Sequence, residues 1–363
     1  MLSNRTTPID FTSSLYLGLC HASEALRSWV SFTTGKPAAL EESPDARRIA
    51  ARLARLQGCE QATLATSTLH AFWDLFGIFD RRRVAIYVDG GMYPIARWGV
   101  ERAAAHAVPV REFAHQDAAD LEVRVRRDAA LRRTPVVVAD GFCTACGSVA
   151  PIPDYLATIR ARGGQLVIDD TQALGILGQA PGPGTPYGRG GGGTLRWHGV
   201  DGADVLSVSS LAKAFGAPVA VLAGSRRDIA CFEQHSDTRV HCSPPSTAAL
   251  RAAEHALAIN QRCGDVLRQR LWDLVRLFQV LLRRAGRTAT GGFSPMQTIV
   301  PCTDRDATRE HQRLMQAGIR TILRSPEHGG NARIGVLITA RHARHDIERA
   351  VAALSGTPHR RGG

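Results

Sequence analysis

Two kinds of hydrophobic pattern alternate along the first two-thirds of the chain. Short runs of mostly β-branched apolar residues, typical of buried strands, are separated by stretches with apolar residues three or four positions apart, typical of amphipathic helices. That alternation favours an α/β fold with mostly parallel central strands. The predicted strands are 62–65, 84–88, 135–139, 165–169, 204–208 and 219–223, and predicted helices between them include 46–56 and 155–162.

The last third of the chain has a different pattern. A helical periodicity runs from Ser246 to about Ala285 and ends at Gly286. It is followed by a smaller α+β arrangement, with a strand near 296–300, a helix near 306–317, short strands and a last helix around 343–354. We therefore predict an N-terminal segment (1–45), a large domain (46–258) and a small C-terminal domain (259–363).

One stretch between these elements is dominated by glycine. Residues 182–194 read G-P-G-T-P-Y-G-R-G-G-G-G-T. Phosphate-binding glycine loops connect a strand to a helix, and no strand pattern leads into this stretch. Its composition predicts a flexible surface loop.

Composition narrows the class of protein. A chain of 363 residues with 44% hydrophobic content can bury a large core, and no apolar run is long enough to span a membrane. The first residues lack the layout of a secretory signal, and the eight cysteines are irregularly spaced. These features predict a cytoplasmic protein with reduced thiols.

The chain is strongly basic, and arginine greatly outnumbers lysine among its basic residues. The net charge of +12 comes with no basic tail or DNA-binding motif, so we do not expect a nucleic-acid partner. Of the 45 basic residues, only Lys36 and Lys213 are lysine. A lysine amine can be deprotonated and attack an aldehyde, whereas an arginine guanidinium stays charged. Lys213, in an apolar and glycine-containing stretch, is the candidate for covalent chemistry, and Lys36 lies in a polar stretch typical of the surface.

Two strand ends provide the polar groups that accompany such a lysine. The run Q-L-V-I-D ends at Asp169, where ligand crevices of α/β sheets form, and Gln172 follows three residues later. This carboxylate could hold the pyridine nitrogen of pyridoxal 5′-phosphate (PLP) protonated, or it could cap the following turn. Lys213 comes 44 residues after Asp169 and directly follows another strand pattern and the hydroxyl of Ser210.

Two further segments fit the same cofactor. Ser67, Thr68 and Leu69 open a helical run after a strand, where free N–H groups and hydroxyls bind phosphate or simply cap the helix. Tyr93 follows the strand that leads to Asp89 and could stack on a pyridine ring, although many loop tyrosines only pack. Cys143 and Cys146 form a C-x-x-C pair without further ligands at matching spacing, so we predict no metal site.

From about Ile9 to Leu354 the chain resembles the α-oxoamine synthases, a family of fold type I (aspartate-aminotransferase fold) PLP enzymes that includes 8-amino-7-oxononanoate synthase and glycine C-acetyltransferase. That fold has a large domain with a mostly parallel sheet and a small α+β C-terminal domain. The segments similar to family motifs are F-T-S-S-L-Y-L-G-L (11–19), V-V-A-D-G-F-C-T-A-C-G (137–147), D-D-T-Q-A-L-G-I-L-G (169–178), S-L-A-K-A-F-G (210–216) and H-C-S-P-P (241–245).

The resemblance implies a role for each matching residue. Asp169 would pair with the pyridine nitrogen, Lys213 would bind the cofactor covalently, and Gln172 takes the place of the family's catalytic histidine. The other implied contacts are Tyr93 with the ring, Thr144 with the phenolic oxygen, and Thr68, Leu69, Ser210 and Ser243 with the phosphate, the last reaching the phosphate of the neighbouring subunit in a homodimer.

The chain also departs from the family where the substrate carboxylate is bound. Ser14 stands in the place of an asparagine, and Gly335 in that of the second arginine of the C-terminal motif. A shift of two residues would instead give the role of that arginine to Arg333. We take Ser14 and Arg333 as the candidate substrate-binding residues.

The leading functional hypothesis is a divergent PLP-dependent transferase. It would form a carbanion at Cα of an amino substrate and join it to an electrophile such as an acyl thioester. The alternatives are a PLP enzyme of another reaction type, such as an aminotransferase or an eliminating enzyme, and a non-catalytic partner subunit.

Overall fold

The computed structural model describes residues 8–79, 83–299, 304–324 and 332–355. The chain divides into two compact units. The large unit contains Leu19–Phe142 and Val149–Asp265, and the small unit contains the described parts of Met1–Gly18, Cys143–Ser148 and Val266–Gly363. The division at 45 and 258 differs from these limits and stays a prediction about domain organisation.

Thirteen strands and eleven α-helices occur in the described ranges, numbered here in chain order. The strands are β1 (Ile9–Asp10), β2 (Gln61–Ala65), β3 (Val84–Asp89), β4 (Val110–Phe113), β5 (Thr134–Asp140), β6 (Gln165–Asp169), β7 (Val205–Ser210), β8 (Ala220–Gly224), β9 (Ala289–Thr290), β10 (Met296–Ile299), β11 (Ile319–Arg320), β12 (Ile322–Arg324) and β13 (Arg333–Leu337). The helices are α1 (Pro44–Gln57), α2 (Thr68–Phe79), α3 (Pro94–Ala105), α4 (Ala118–Arg127), α5 (Ile152–Arg160), α6 (Thr194–His198), α7 (Arg226–His235), α8 (Asp237–His241), α9 (Thr247–Arg284), α10 (Asp304–Gln316) and α11 (Arg344–Leu354).

The large unit is built on one seven-stranded sheet. Its strand order is β2-β8-β7-β6-β5-β3-β4, and only β8 runs antiparallel to its neighbours β2 and β7. The predicted α/β class with a mostly parallel sheet is confirmed. The pattern missed β4, an edge strand whose Arg111 and Glu112 are exposed, because such a strand has no apolar run to reveal it.

Helices cover both faces of this sheet. Because side chains alternate along each strand, neighbouring residues of one strand enter different cores. Val136 and Val138 of β5 enter a core shared with α2, α3 and α7. Val137 and Ala139 enter a second core on the other face, shared with α4 and α5. The continuous hydrophobic runs of the central strands are thereby explained, as both faces are withdrawn from water.

Local signals at the helix ends set where the elements begin. Ser43 caps α1 by accepting a hydrogen bond from the backbone N–H of Asp45, and Pro44 occupies the first turn. The helix ends at Gly58, whose φ of 81° is the left-handed conformation that favours glycine. This end delivers the chain directly into β2.

The small unit has a four-stranded antiparallel sheet of order β12-β13-β10-β9 and a parallel pair of β1 and β11. Ile334 and Val336 of β13 are buried on the sheet, and α10 packs against β12 and β13. The predicted α+β character is confirmed, except that residue 300 of the predicted strand lies outside the described residues. Helix α9 agrees with the predicted helix, and no helix in the described ranges is long and apolar enough to cross a bilayer.

The prediction of a flexible surface loop for residues 182–194 is wrong for its second half. Gly191–Leu195 is buried, and the backbone N–H of Gly193 donates to the carbonyl of Leu177. A Cβ on Gly193 would lie 1.9 Å from Oδ2 of Asp170, and φ there is +87°. The glycines allow the backbone to pack closely against a buried carboxylate, a use that composition alone does not distinguish from flexibility.

This close approach gives the first prediction. Gly193→Ala should lower the free energy of unfolding by about 2–4 kcal/mol, because the new Cβ meets both a steric clash and an unfavourable φ. The measurement is chemical denaturation. Gly184→Ala in the same loop is the control, since no heavy atom lies within 4 Å of its Cβ position. Equal stabilities of the two variants would contradict the packed arrangement.

Candidate active site

The candidate residues of the large unit gather at one edge of its sheet. β2, β3, β5, β6 and β7 run in the same direction, so their carboxyl ends meet there. Asp169 is in register with Asp140 on one side and with Val208 on the other. Ala65 and Ser210 both pair with Ala220, which places the segment after β2 at the same level as the segment after β7.

Asp169 is the buried carboxylate at this edge. Its Oδ1 accepts the backbone N–H of Thr171 at 3.0 Å. Burial raises the pKa of Asp169, while the hydrogen bonds from Thr171 and the charge of Lys213 lower it in part. A cationic N–H placed beside this carboxylate would stabilise its ionised form further, which is what a protonated pyridine nitrogen provides.

Lys213 lies in a turn that directly follows β7. The turn is closed by the N–H of Leu211 donating to Val219 O at 2.8 Å, and the N–H of Ser210 donates to Oγ1 of Thr171 at 3.0 Å. Burial lowers the pKa of Lys213, and the charge of Asp169 opposes that shift. A lowered pKa increases the fraction of neutral, nucleophilic amine, as covalent chemistry at this lysine requires.

The segment after β2 carries several hydrogen-bond donors. Helix α2 begins at Thr68, and the Ser67 hydroxyl lies 2.7 Å from Nδ1 of His70. The hydroxyl of Thr66 donates to the backbone carbonyl of Ser243 at 2.9 Å. This hydrogen bond joins two segments that lie 177 positions apart in the sequence. The predicted phosphate residues Ser67, Thr68 and Ser243 therefore lie in one region of the fold.

Tyr93 caps the start of α3 and is 54% exposed, so its ring is accessible rather than packed in the core. Its backbone N–H donates to Oδ1 of Asp140 at 3.3 Å. Gln172 is partly buried in the turn after Asp169, and Leu69 is exposed on the first turn of α2.

The remaining candidates belong to the small unit. Thr144 is partly buried in the turn at 143–148, and Ser14 is partly buried in the segment that follows β1. Arg333 is exposed at the first position of β13, and Gly335 is buried two residues later on the same strand face.

Two further carboxylates of the edge, the partly buried Asp140 and the buried Asp170, were not predicted from the sequence as site residues. Asp140 faces Asp169 across neighbouring strands, and burial together with the charge of Asp169 raises the pKa of Asp140 well above its usual value. Asp170 accepts both the N–H and the hydroxyl of Thr194, and burial raises the pKa of Asp170 to about 6. The position of Asp140 at the end of a strand pattern was the signal available for it.

The donor set therefore fits PLP: an amine with a lowered pKa, a buried carboxylate and a hydroxyl-bearing helix start. Comparison with known proteins agrees. The model of the family "Aminotransferase class I and II" matches residues 47–354. The chain belongs to this family.

Among curated proteins, the 8-amino-7-oxononanoate synthase of Sodalis glossinidius is 29% identical over 362 residues, covering 96% of this chain and 87% of the relative. That of Pseudomonas putida (strain GB-1) is 28% identical over 366 residues, with the same coverage. The predicted likeness to the α-oxoamine synthases is confirmed, and with it the assignment as a PLP-dependent transferase.

Solved structures show the same fold. The serine palmitoyltransferase of Sphingomonas wittichii superposes with a TM-score of 0.83 at 18% identity, covering 95% of this chain and 85% of that one. The 8-amino-7-oxononanoate synthase of Francisella tularensis superposes with a TM-score of 0.76 at 17% identity, covering 96% and 97%. Fold type I is thereby confirmed for this class I and II aminotransferase relative.

The second prediction concerns the cofactor lysine. Lys213→Ala should leave a folded protein without covalently held PLP, because no other contact replaces the bond. Borohydride treatment followed by peptide mass spectrometry measures this. Lys36→Ala, which removes the chain's other lysine, should keep the pyridoxyl label on Lys213. A label on Lys36 in the unaltered protein would overturn the assignment.

The third prediction concerns Asp169. Asp169→Ala should still bind some PLP but should slow loss of the substrate Cα proton by orders of magnitude, because a neutral pyridine withdraws electrons poorly. Exchange of the Cα proton with deuterated solvent, followed by NMR, gives the rate. Asp201→Ala, at an exposed position, is the control. A near-normal exchange rate in Asp169→Ala would remove Asp169 from its assigned role.

Proposed function

We propose that this chain is a divergent α-oxoamine synthase that joins the Cα of an amino substrate to the acyl group of a thioester. The observation that carries the proposal is the Asp169–Lys213 pair at the carboxyl edge of the sheet. It is supported by curated relatives named 8-amino-7-oxononanoate synthase across nearly the whole chain.

When bound, PLP supplies the electron sink that stabilises negative charge at Cα. The chain's own residues do the rest. Lys213 would hold the cofactor through Nζ and, once displaced by the substrate amine, would remove and return the proton at Cα, a task that suits its lowered pKa. Asp169 would accept the hydrogen bond from the ring N–H and keep that proton in place.

The other assigned residues orient the reactants. Ser67, Thr68 and Leu69 at the start of α2, together with Ser210, would bind the phosphate through N–H and hydroxyl donors. Tyr93 would cover the ring, and Gln172 and Thr144 would contact its phenolic oxygen. A glutamine cannot act as the acid that a histidine provides, so Gln172 would position rather than transfer protons.

A direct assay tests the proposal. The purified enzyme is offered amino compounds with an acyl thioester, and release of free thiol and formation of a ketone are measured. Amino-group transfer to a 2-oxo acid without thiol release would instead support an aminotransferase, and retention of PLP without any Cα proton exchange would support a non-catalytic subunit.

We further propose that the enzyme is a homodimer that works in the cytoplasm. Ser243 would contact the phosphate bound by the partner subunit. Leu69, Trp73 and Val240 are exposed apolar side chains on α2 and α8 near the Thr66–Ser243 contact, a concentration that favours a protein interface. The seven described cysteines are free thiols, which is compatible with a reducing compartment.

The fourth prediction tests the dimer. Light scattering should give twice the mass of the chain, and Trp73→Glu should produce monomers with weakened PLP retention, because a charge is costly to bury in an apolar interface. Met315→Glu, at an exposed position of α10, should leave the dimer intact. A monomeric wild-type protein that still binds PLP tightly would contradict the shared site.

The fifth prediction concerns the substrate. With Gly335 and Ser14 in place of arginine and asparagine, glycine, alanine and serine should be poor substrates. Loss of a charged bidentate contact corresponds to about 1.5–3 kcal/mol, or roughly a ten- to hundredfold weaker hold on a carboxylate. Gly335→Arg, alone or with Ser14→Asn, should lower KM for these amino acids. Efficient condensation of glycine by the wild type would contradict this expectation, and Arg333→Gln would then test whether Arg333 serves as the clamp.

A further inference from the structure

One face of the small antiparallel sheet combines unusual residues. In register, Arg324 of β12 is opposite Arg333 of β13, and Ile322 is opposite Gly335. Thr298 of β10 lies on the other side of Gly335. Residues directly opposite each other in an antiparallel pair point to the same side, so all five share one face. We call these five residues the arginine face.

The two guanidinium groups have no counterion in the described structure. Neither Arg324 nor Arg333 forms an ion pair or hydrogen bond with another side chain among residues 8–79, 83–299, 304–324 and 332–355. Like charges directly opposite each other on a sheet destabilise it. Such a pair is stabilised when an anion lies between the two groups.

The threonine adds an independent sign of a missing partner. Thr298 is 1% exposed, and its Oγ1 is buried without any hydrogen-bond partner. A buried hydroxyl that makes no hydrogen bond is costly, and most such groups in folded proteins are satisfied. The hydroxyl of Thr298 can therefore donate to a ligand on the side of the sheet that carries both arginines.

Gly335 lies between these donors on the strand face, and it is not required there by the backbone. Its φ lies outside the left-handed range, and the nearest atoms to a Cβ built there are Cβ and O of Ile322 at 3.5 and 3.8 Å and Cδ of Arg324 at 3.9 Å. These are ordinary contact distances, in contrast to the 1.9 Å at Gly193. Neither backbone conformation nor crowding therefore requires a glycine at this position, and the side chain of Arg324 lies close to it.

We propose that the arginine face binds an anionic group of a substrate, held by Arg324, Arg333 and the hydroxyl of Thr298 over Gly335. This inference rests on the proposed function and extends it. The bound anion is a carboxylate or phosphate other than the α-carboxylate of the amino substrate. Its sources are a second acidic group on the amino substrate or a phosphate of the thioester carrier. Two guanidinium groups suit either, because each offers paired donors to two oxygens.

Calorimetric titration of the PLP-loaded enzyme with inorganic phosphate tests the site without turnover. Arg324→Gln and Arg333→Gln should each weaken phosphate binding roughly tenfold or more, the usual effect of losing a charge-assisted contact. Thr298→Val, which keeps the shape, should weaken it about fivefold without loss of stability, because the hydroxyl has no protein partner to lose. Arg309→Gln, an exposed arginine on α10, is the matched control and should behave as wild type.

Two further titrants identify the source of the anion. If L-glutamate competes with phosphate and loses affinity in both arginine variants while L-alanine does not, the site serves the amino substrate. If coenzyme A shows this dependence, it serves the thioester. Phosphate affinity unchanged in Arg324→Gln and Arg333→Gln, or no binding of any titrant to the wild type, overturns the proposal. Failure of the proposed function shows separately, as absence of thiol release in an enzyme that still binds phosphate.

Discussion

Asp169 is buried at the end of a central strand, and the polar contacts at this edge of the large unit are arranged around its carboxylate. Removing a carboxylate from water is costly unless donors and positive charge surround it. Thr171 provides the N–H donor, and Lys213 provides the charge. The hydroxyl of Thr171 also receives the N–H of Ser210, so the turn that carries Lys213 is fixed to the strand that carries Asp169.

The neighbouring buried carboxylate of Asp170 is stabilised by different contacts. It is satisfied by Thr194, which the chain brings in through a glycine stretch, and side chains at Gly141 or Gly193 would collide with it. The same residue type at Gly335 permits no such close approach, because a Cβ there would meet its nearest atoms at 3.5 to 3.9 Å. Gly193 is therefore required by the packing around Asp170, whereas neither crowding nor backbone conformation requires a glycine at position 335.

The candidate substrate-binding residues Ser14 and Arg333 both belong to the small unit. Arg333 and Gly335 lie on one face of β13 because side chains alternate along a strand. Arg324 lies opposite Arg333, so two positive charges share this face.

The sequence by itself determined the kinds of element, the α/β class and the chemistry of single residues. Buried strands such as 165–169 produce hydrophobic runs, and the rarity of lysine made Lys213 conspicuous. Tertiary structure alone decided which residues meet: Asp140 beside Asp169, Thr66 bound to Ser243, Arg324 opposite Arg333, and Gly193 against Asp170. The hydrophobic periodicity of a segment reflects how that segment is buried. It does not contain the distant neighbours that decide the register between strands, the burial of a polar group and the pKa that results.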